Sequence, residues 1–157
     1  VPYYHKYAEE QKTTQGLYNY DGDYNPEYHF GYGLSYTTFN YANPQISKAE
    51  IPKDSKERIT ISIDITNTGK RTGKEVVQLY SSDLYASVIP DMKRLRRFEK
   101  INLEPGEKKT VSFSLSVSDL AFYDLDCKQV IEPGDFEFLI GAASNDIKKV
   151  IKFKVTE

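Results

Sequence analysis

The sequence predicts an all-β fold: an antiparallel β-sandwich preceded by an extended N-terminal aromatic arm. Three observations carry that expectation. From about residue 37 onward apolar residues recur at every second position, the period of strands with one buried face. Turn signals built on glycine, proline and asparagine separate these runs. Tyrosine crowds the start of the chain, with ten of the 13 in residues 1–41.

The arm comes first, as residues 1–36. Asp21-Gly22-Asp23-Tyr24-Asn25-Pro26 is turn-like, and Gly31 and Gly33 interrupt any regular element. Residues 1–41 hold 12 of the 21 aromatic residues and a net charge of −3, against +1 for the remaining 116 residues. So many rings are expected to cover a surface, because each buries a large apolar area when it finds one. Residues 37–157 are expected to form the sandwich. In Arg58–Asn67, Ile59, Ile61, Ile63 and Ile65 take one face and Thr60, Ser62, Asp64 and Thr66 the other. Glu75–Ser81 is apolar on both sides, which suits a central strand. Val111, Phe113 and Leu115 alternate next, then Phe136, Phe138 and Ile140, then Ile151, Phe153 and Val155. Pro105-Gly106 and Pro133-Gly134 each predict a type II turn, since proline presets the first central φ and glycine accepts the positive second one. No segment carries a helical stripe. Six to eight strands in about 120 residues describe a sandwich of immunoglobulin or fibronectin type III-like kind.

Composition excludes several classes of function. The chain has 157 residues, 18.0 kDa and a net charge of −2, so no global field recruits nucleic acid. No stretch reaches the roughly 20 apolar residues of a membrane span. The single cysteine, Cys127, cannot close an internal disulfide. Asp21, Asp23 and Asn25 have the alternate spacing of a calcium loop, but Pro26 and Tyr32 stand where that loop needs its glycine and bidentate glutamate. A turn is the better reading, and no metal site or cofactor is expected. His5 and His29 lack metal-ligand spacing, and pairing either with Cys127 has no sequence support. The basic run Lys93-Arg94-Leu95-Arg96-Arg97 reads as a solvated strand edge rather than a nucleic-acid patch. No nucleophile elbow, phosphate loop or dinucleotide fingerprint occurs. From the residues alone, no catalytic site is visible.

A resemblance reaches further. FGYGLSYTTF (30–39) resembles the segment that joins the second catalytic domain of glycoside hydrolase family 3 enzymes to their C-terminal domain. NTGKRTG (67–73), EVVQLY (75–80), the run from Ala86 to Leu115, LAFYD (120–124) and EPGDFEFLIGAAS (132–144) are similar to that family's fibronectin type III-like domain, in the same order. His29 stands where a proline often precedes the FGYGLSY run, and Tyr85 and Ile89 are local variations.

The resemblance implies a parent enzyme that is a retaining β-glycosidase of β-glucosidase or β-xylosidase type, acting on terminal non-reducing β-linked sugars. Its nucleophile and acid/base carboxylates would lie upstream of Val1, so no catalytic residue is transferred onto this chain. The expected role is a non-catalytic structural C-terminal module whose partners are the upstream catalytic domains of the same chain, with residues 1–36 as the connecting arm. The β-linked oligosaccharide is met only through the parent, and a homodimer stays open. The compartment cannot be read from the chain; the resemblance implies a periplasmic or secreted one. Two other classes remain: a carbohydrate-binding module, which would need an aromatic platform facing solvent, and an adhesion or interaction domain, which would need an unblocked edge strand.

Overall fold

Isoleucine at every second position makes Arg58–Asn67 the spine of the fold. In the structure, a computed structural model that describes residues 27–87 and 93–157, all four isoleucines are fully buried. The described residues form ten strands: β1 (Phe39–Ile46), β2 (Glu50–Pro52), β3 (Arg58–Asn67), β4 (Gly73–Asp83), β5 (Arg94–Leu103), β6 (Lys108–Ser116), β7 (Phe122–Tyr123), β8 (Gln129–Val130), β9 (Gly134–Ala143) and β10 (Asp146–Thr156). One sheet has the order β1-β3-β6 and the other β2-β10-β9-β4-β5, while β7 and β8 pair as a separate hairpin. This is the sandwich the alternation predicts, and β4 is indeed interior to its sheet. Pairing is antiparallel except where β2 runs parallel to β10, a three-residue contact too short to leave a periodic signal.

The core lies between the sheets. The isoleucines of β3 meet Val111, Phe113 and Leu115 of β6, and across the gap Val77, Leu79, Ile101, Leu103, Phe136, Phe138, Ile140, Phe153 and Val155. Phe138 and Phe153 pack with ring centroids 5.3 Å apart and Phe136 lies 6.5 Å from Phe153, tilted geometries that aromatic pairs favour.

Of the two expected type II turns, one forms. Gly106 has φ +78°, and the Glu107 N–H donates to the Glu104 carbonyl at 3.0 Å. The other does not: Gly134 is the first residue of β9, paired with Val155, and has no positive φ. There the chain runs straight on, because β10 on one side and the Leu84 N–H, which donates to the Asp135 carbonyl, on the other both recruit the backbone. A short 3-10 turn, Val117–Leu120, follows β6.

Two carboxylates fasten the outside. Asp119 Oδ2 accepts from the Ser116 N–H at 2.8 Å and from Arg97 at 2.9 Å, which ties the turn after β6 to β5 of the opposite sheet. Asp64 accepts from Thr110 at 2.7 Å, Asn43 at 2.9 Å and Lys108 at 2.6 Å. Burial alone would raise the Asp119 carboxyl, but hydrogen bonds from Ser116 and Arg97 outweigh it and hold it below its ordinary value. Lys108, Thr110 and Asn43 hold Asp64 well below the carboxylate range. Both groups therefore bind protons less readily folded than unfolded. Their contribution is complete above the ordinary carboxylate pKa and is lost as pH falls through the depressed folded values. Melting temperature is expected to drop between about pH 4 and pH 2, and Asp119→Asn to flatten that limb. A wild-type profile already flat over that range would contradict the assignment.

Candidate functional site

The two sheets turn very different outer faces to their surroundings. On the three-stranded sheet the cross-strand pairs are Thr60 with Ser114, Ser62 with Ser112 and Asp64 with Thr110, a surface of hydroxyls made for water. On the five-stranded sheet, Val76 and Tyr80 of β4, Leu95 and Phe98 of β5, Leu139 of β9 and Val150 of β10 occupy that position instead. Phe98 keeps 66 % of its surface exposed and Val150 51 %. These side chains form an apolar patch on a face that also carries Lys100 and the cross-strand pairs Glu137 with Lys152 and Asp135 with Lys154, and such a patch on a water-exposed surface calls for a partner.

Residues 28–37 lie along this face as a strap fixed at two points. The first is at Gly31, whose carbonyl accepts from Gln78 Nε2 at 3.1 Å. The same Nε2 donates to the Ala142 carbonyl, and Gln78 Oε1 accepts from the Tyr80 hydroxyl. The Ser144 N–H donates to the Phe30 carbonyl at 2.9 Å. Gly31 has φ +79°, and a Cβ there would fall 2.2 Å from Gln78 Oε1, so both conformation and space demand glycine. This contact accounts for the burial of Gln78 and Tyr80 on the side away from the core, and burial raises the Tyr80 hydroxyl pKa to about 12.

The second point is Thr37. Its hydroxyl donates to Asn67 Oδ1 at 2.6 Å, and the Gly69 N–H donates to that oxygen at 3.0 Å. Asn67 Nδ2 donates to the Arg71 carbonyl at 2.8 Å and the Leu103 carbonyl at 2.9 Å, so a fully buried amide has every bond made. Added Cβ atoms at Gly69 and Gly73 would lie 2.1 Å from Thr37 Oγ1 and 2.4 Å from its Cγ2. The loop NTGKRTG is thus a seat for Thr37. Next to it the Thr68 N–H donates to the Thr38 carbonyl at 2.8 Å.

Between strap and sheet runs a groove of about 450 Å³, lined by Phe30, Tyr32, Leu34, Val76, Leu95 and Phe98, with Lys74, Glu75 and Lys100 at its polar margin. Tyr41 of β1 reaches across to donate to Glu75 Oε1 at 2.8 Å. Burial raises the Glu75 carboxyl above its ordinary value, the Tyr41 hydrogen bond and Lys148 offset part of the rise, and Asp146 adds to it. Burial and the Glu75 charge both push the Tyr41 hydroxyl far up, so it stays a donor.

The residues singled out from sequence fall as follows. His5, Asp21, Asp23 and Asn25 lie outside the described residues. His29 lies near the start of the strap, its carbonyl accepting from the Tyr32 N–H at 3.0 Å. Cys127 is exposed at the tip of the β7–β8 hairpin. Among the described residues no group of three or more His, Cys, Asp or Glu side chains could hold a metal ion. The basic run leads into a sheet edge, β5, and three of its four cations are engaged: Arg96 with Ser81 Oγ at 2.7 Å, Arg97 with Asp119, and Lys93 with the Ser144 carbonyl. Among the described residues no helix is long and apolar enough to cross a membrane. Sequence reasoning missed the two seats. Their only traces were the paired glycines of NTGKRTG and a glutamine inside an otherwise apolar strand.

Comparison with known proteins agrees with this architecture. Residues 75–144 match the fibronectin type III-like domain family. The chain is 46 % identical over 140 residues to a β-xylosidase of Formosa agariphila, covering 88 % of the chain and 19 % of that protein. It is 45 % identical over 124 residues to a periplasmic β-glucosidase of Salmonella typhimurium, covering 79 % and 16 %. Among solved structures, a β-glucosidase from Listeria innocua in complex with glucose superposes with TM-score 0.82 at 31 % identity, covering all of the chain and 22 % of that protein. The chain therefore spans about a fifth of the length of the proteins it resembles.

Proposed function

Because the chain belongs to the fibronectin type III-like domain family, in the form carried by glycoside hydrolase family 3 β-glucosidases and β-xylosidases, we propose that it is the non-catalytic structural module of a retaining β-glycosidase. The parent enzyme hydrolyses terminal non-reducing β-linked sugars through two carboxylates that lie in its catalytic domains. The module packs against those domains and stabilises them. We place the division of the chain at residues 36/37, with the arm leading from the catalytic part.

One observation carries the packing role: the contrast between the outer faces. A free-standing sandwich would clothe both sheets as it clothes β3 and β6, whereas this one leaves Phe98, Leu34 and neighbouring apolar side chains around a groove. The rings there also suit a sugar face, the mark of a carbohydrate-binding module. The groove's polar atoms favour packing instead. Both N–H donors of Gln78 are spent on Gly31 and Ala142, its oxygen already accepts from Tyr80, and Glu75 Oε1 already accepts from Tyr41, so fewer of the groups that would orient a sugar are open.

The purified 157-residue chain is accordingly expected to leave nitrophenyl β-glucoside and β-xyloside intact. Turnover that survives purification and disappears on mutating one of its own carboxylates would overturn the reading.

A further inference from the structure

The strap holds its two most exposed apolar side chains, Leu34 and Tyr36, between its two fixed points, with Tyr32 beside them. Tyr32, Leu34 and Tyr36 keep 48, 87 and 92 % of their surface exposed, while Gly31 before them and Thr37 after them are tied down. Tyr28 braces Tyr32, with ring centroids 5.2 Å apart. Tyr32 and Leu34 line the outer wall of the groove and still keep these areas exposed. Residues 31–37 contain no charged side chain. Their anchoring settles much of the conformational cost before any partner arrives, the condition under which a small contact binds well.

Resting on the function proposed above, we propose that Tyr32, Leu34 and Tyr36 form a preorganised ridge that enters an apolar pocket on the catalytic part of the same polypeptide. That pocket would carry hydrogen-bond acceptors for the two phenol hydroxyls. Three observations select this occupant. The ridge has no charge to offer a phosphate backbone or an anionic lipid surface. The chain spans about a fifth of the proteins it resembles, which leaves ample polypeptide to supply the pocket. More chain precedes Glu27, five residues before the ridge. A partner joined through that chain meets the ridge at high effective concentration, so three side chains suffice where a free partner would need a larger surface.

The test compares the 157-residue chain with the longer enzyme. The double variant Leu34→Ser, Tyr36→Ser is expected to leave the melting temperature of the short chain within about 1 °C, since both side chains are exposed there. In the longer enzyme it is expected to shorten the half-life of glycosidase activity at a fixed elevated temperature about tenfold. Phe98→Ser, on the sheet face but off the ridge, is the parallel measurement. A shortened half-life with Phe98→Ser and none with the double variant would overturn the ridge and leave the packing role standing. No effect from either would overturn both. A drop in the short chain's melting temperature with the double variant would mean that the ridge packs on its own sandwich. Concentration-dependent dimerisation of the short chain, abolished by the double variant, would reassign the ridge to a second copy. Either of these last results also overturns the proposal.

Discussion

Asn67→Ala is expected to destabilise the chain by about 3–5 kcal/mol, through hydrogen bonds stranded in a dry place rather than lost packing. The substitution orphans the Leu103 and Arg71 carbonyls, the Gly69 N–H and the Thr37 hydroxyl together. Each buried group left unpaired costs about 1–3 kcal/mol, and water reaching the Arg71 and Thr37 side recovers part of that. Urea unfolding should show a lower midpoint with an unchanged slope. A loss below about 1 kcal/mol would mean that the loop repacks and that Asn67 is not the centre of the seat. The strap should loosen as well, because its second fixed point is bonded to the same oxygen.

Phe138→Ala should cost a similar amount, about 3–5 kcal/mol, for the opposite reason. Phe138 is fully buried, contacts the Phe153 ring and makes no polar contact, so the loss is transfer free energy plus the cavity left behind. Neighbouring strands pair on both sides of β9 and limit collapse into that space. Phe138→Leu, which refills most of the volume, should recover more than half of the loss, and equal losses for both variants would argue against a cavity mechanism.

The two residues differ in how far sequence could find them. Phe138 sits in an alternation that only a half-buried strand explains, so its burial and approximate neighbours follow from period two alone. The same holds for the isoleucines of β3 and for the Pro105-Gly106 turn, where all the determinants are local. Asn67 reads from sequence as an ordinary turn residue, because its partners Thr37 and Leu103 lie 30 and 36 positions away. Gly69 and Gly73 read as turn formers too, although what they supply is room for Thr37. Glu75–Ser81 was legible as a two-sided apolar strand. Its second covering layer was not, since the strap that buries Gln78 returns from 47 residues earlier. Pro133-Gly134 shows the converse failure: a sound local turn signal was overridden by strand pairing on either side.

The order of the strands has a consequence for aggregation. An open sheet offers unpaired backbone at its edges, and growth by strand addition starts there. Here the outermost strands of both main sheets carry features that hinder it. β1 contains Pro44 and a bulge between Ala42 and Gln45. β2 is three residues long and ends in Pro52. β5 is studded with Arg94, Arg96, Arg97 and Lys100 and is irregular opposite Leu79 and Tyr80, while β6 begins with Lys108 and Lys109. Fibril-like stacking is thereby disfavoured even when the module is produced in isolation. Any stickiness it shows should come from the apolar face, where a point substitution can remove it without disturbing the fold.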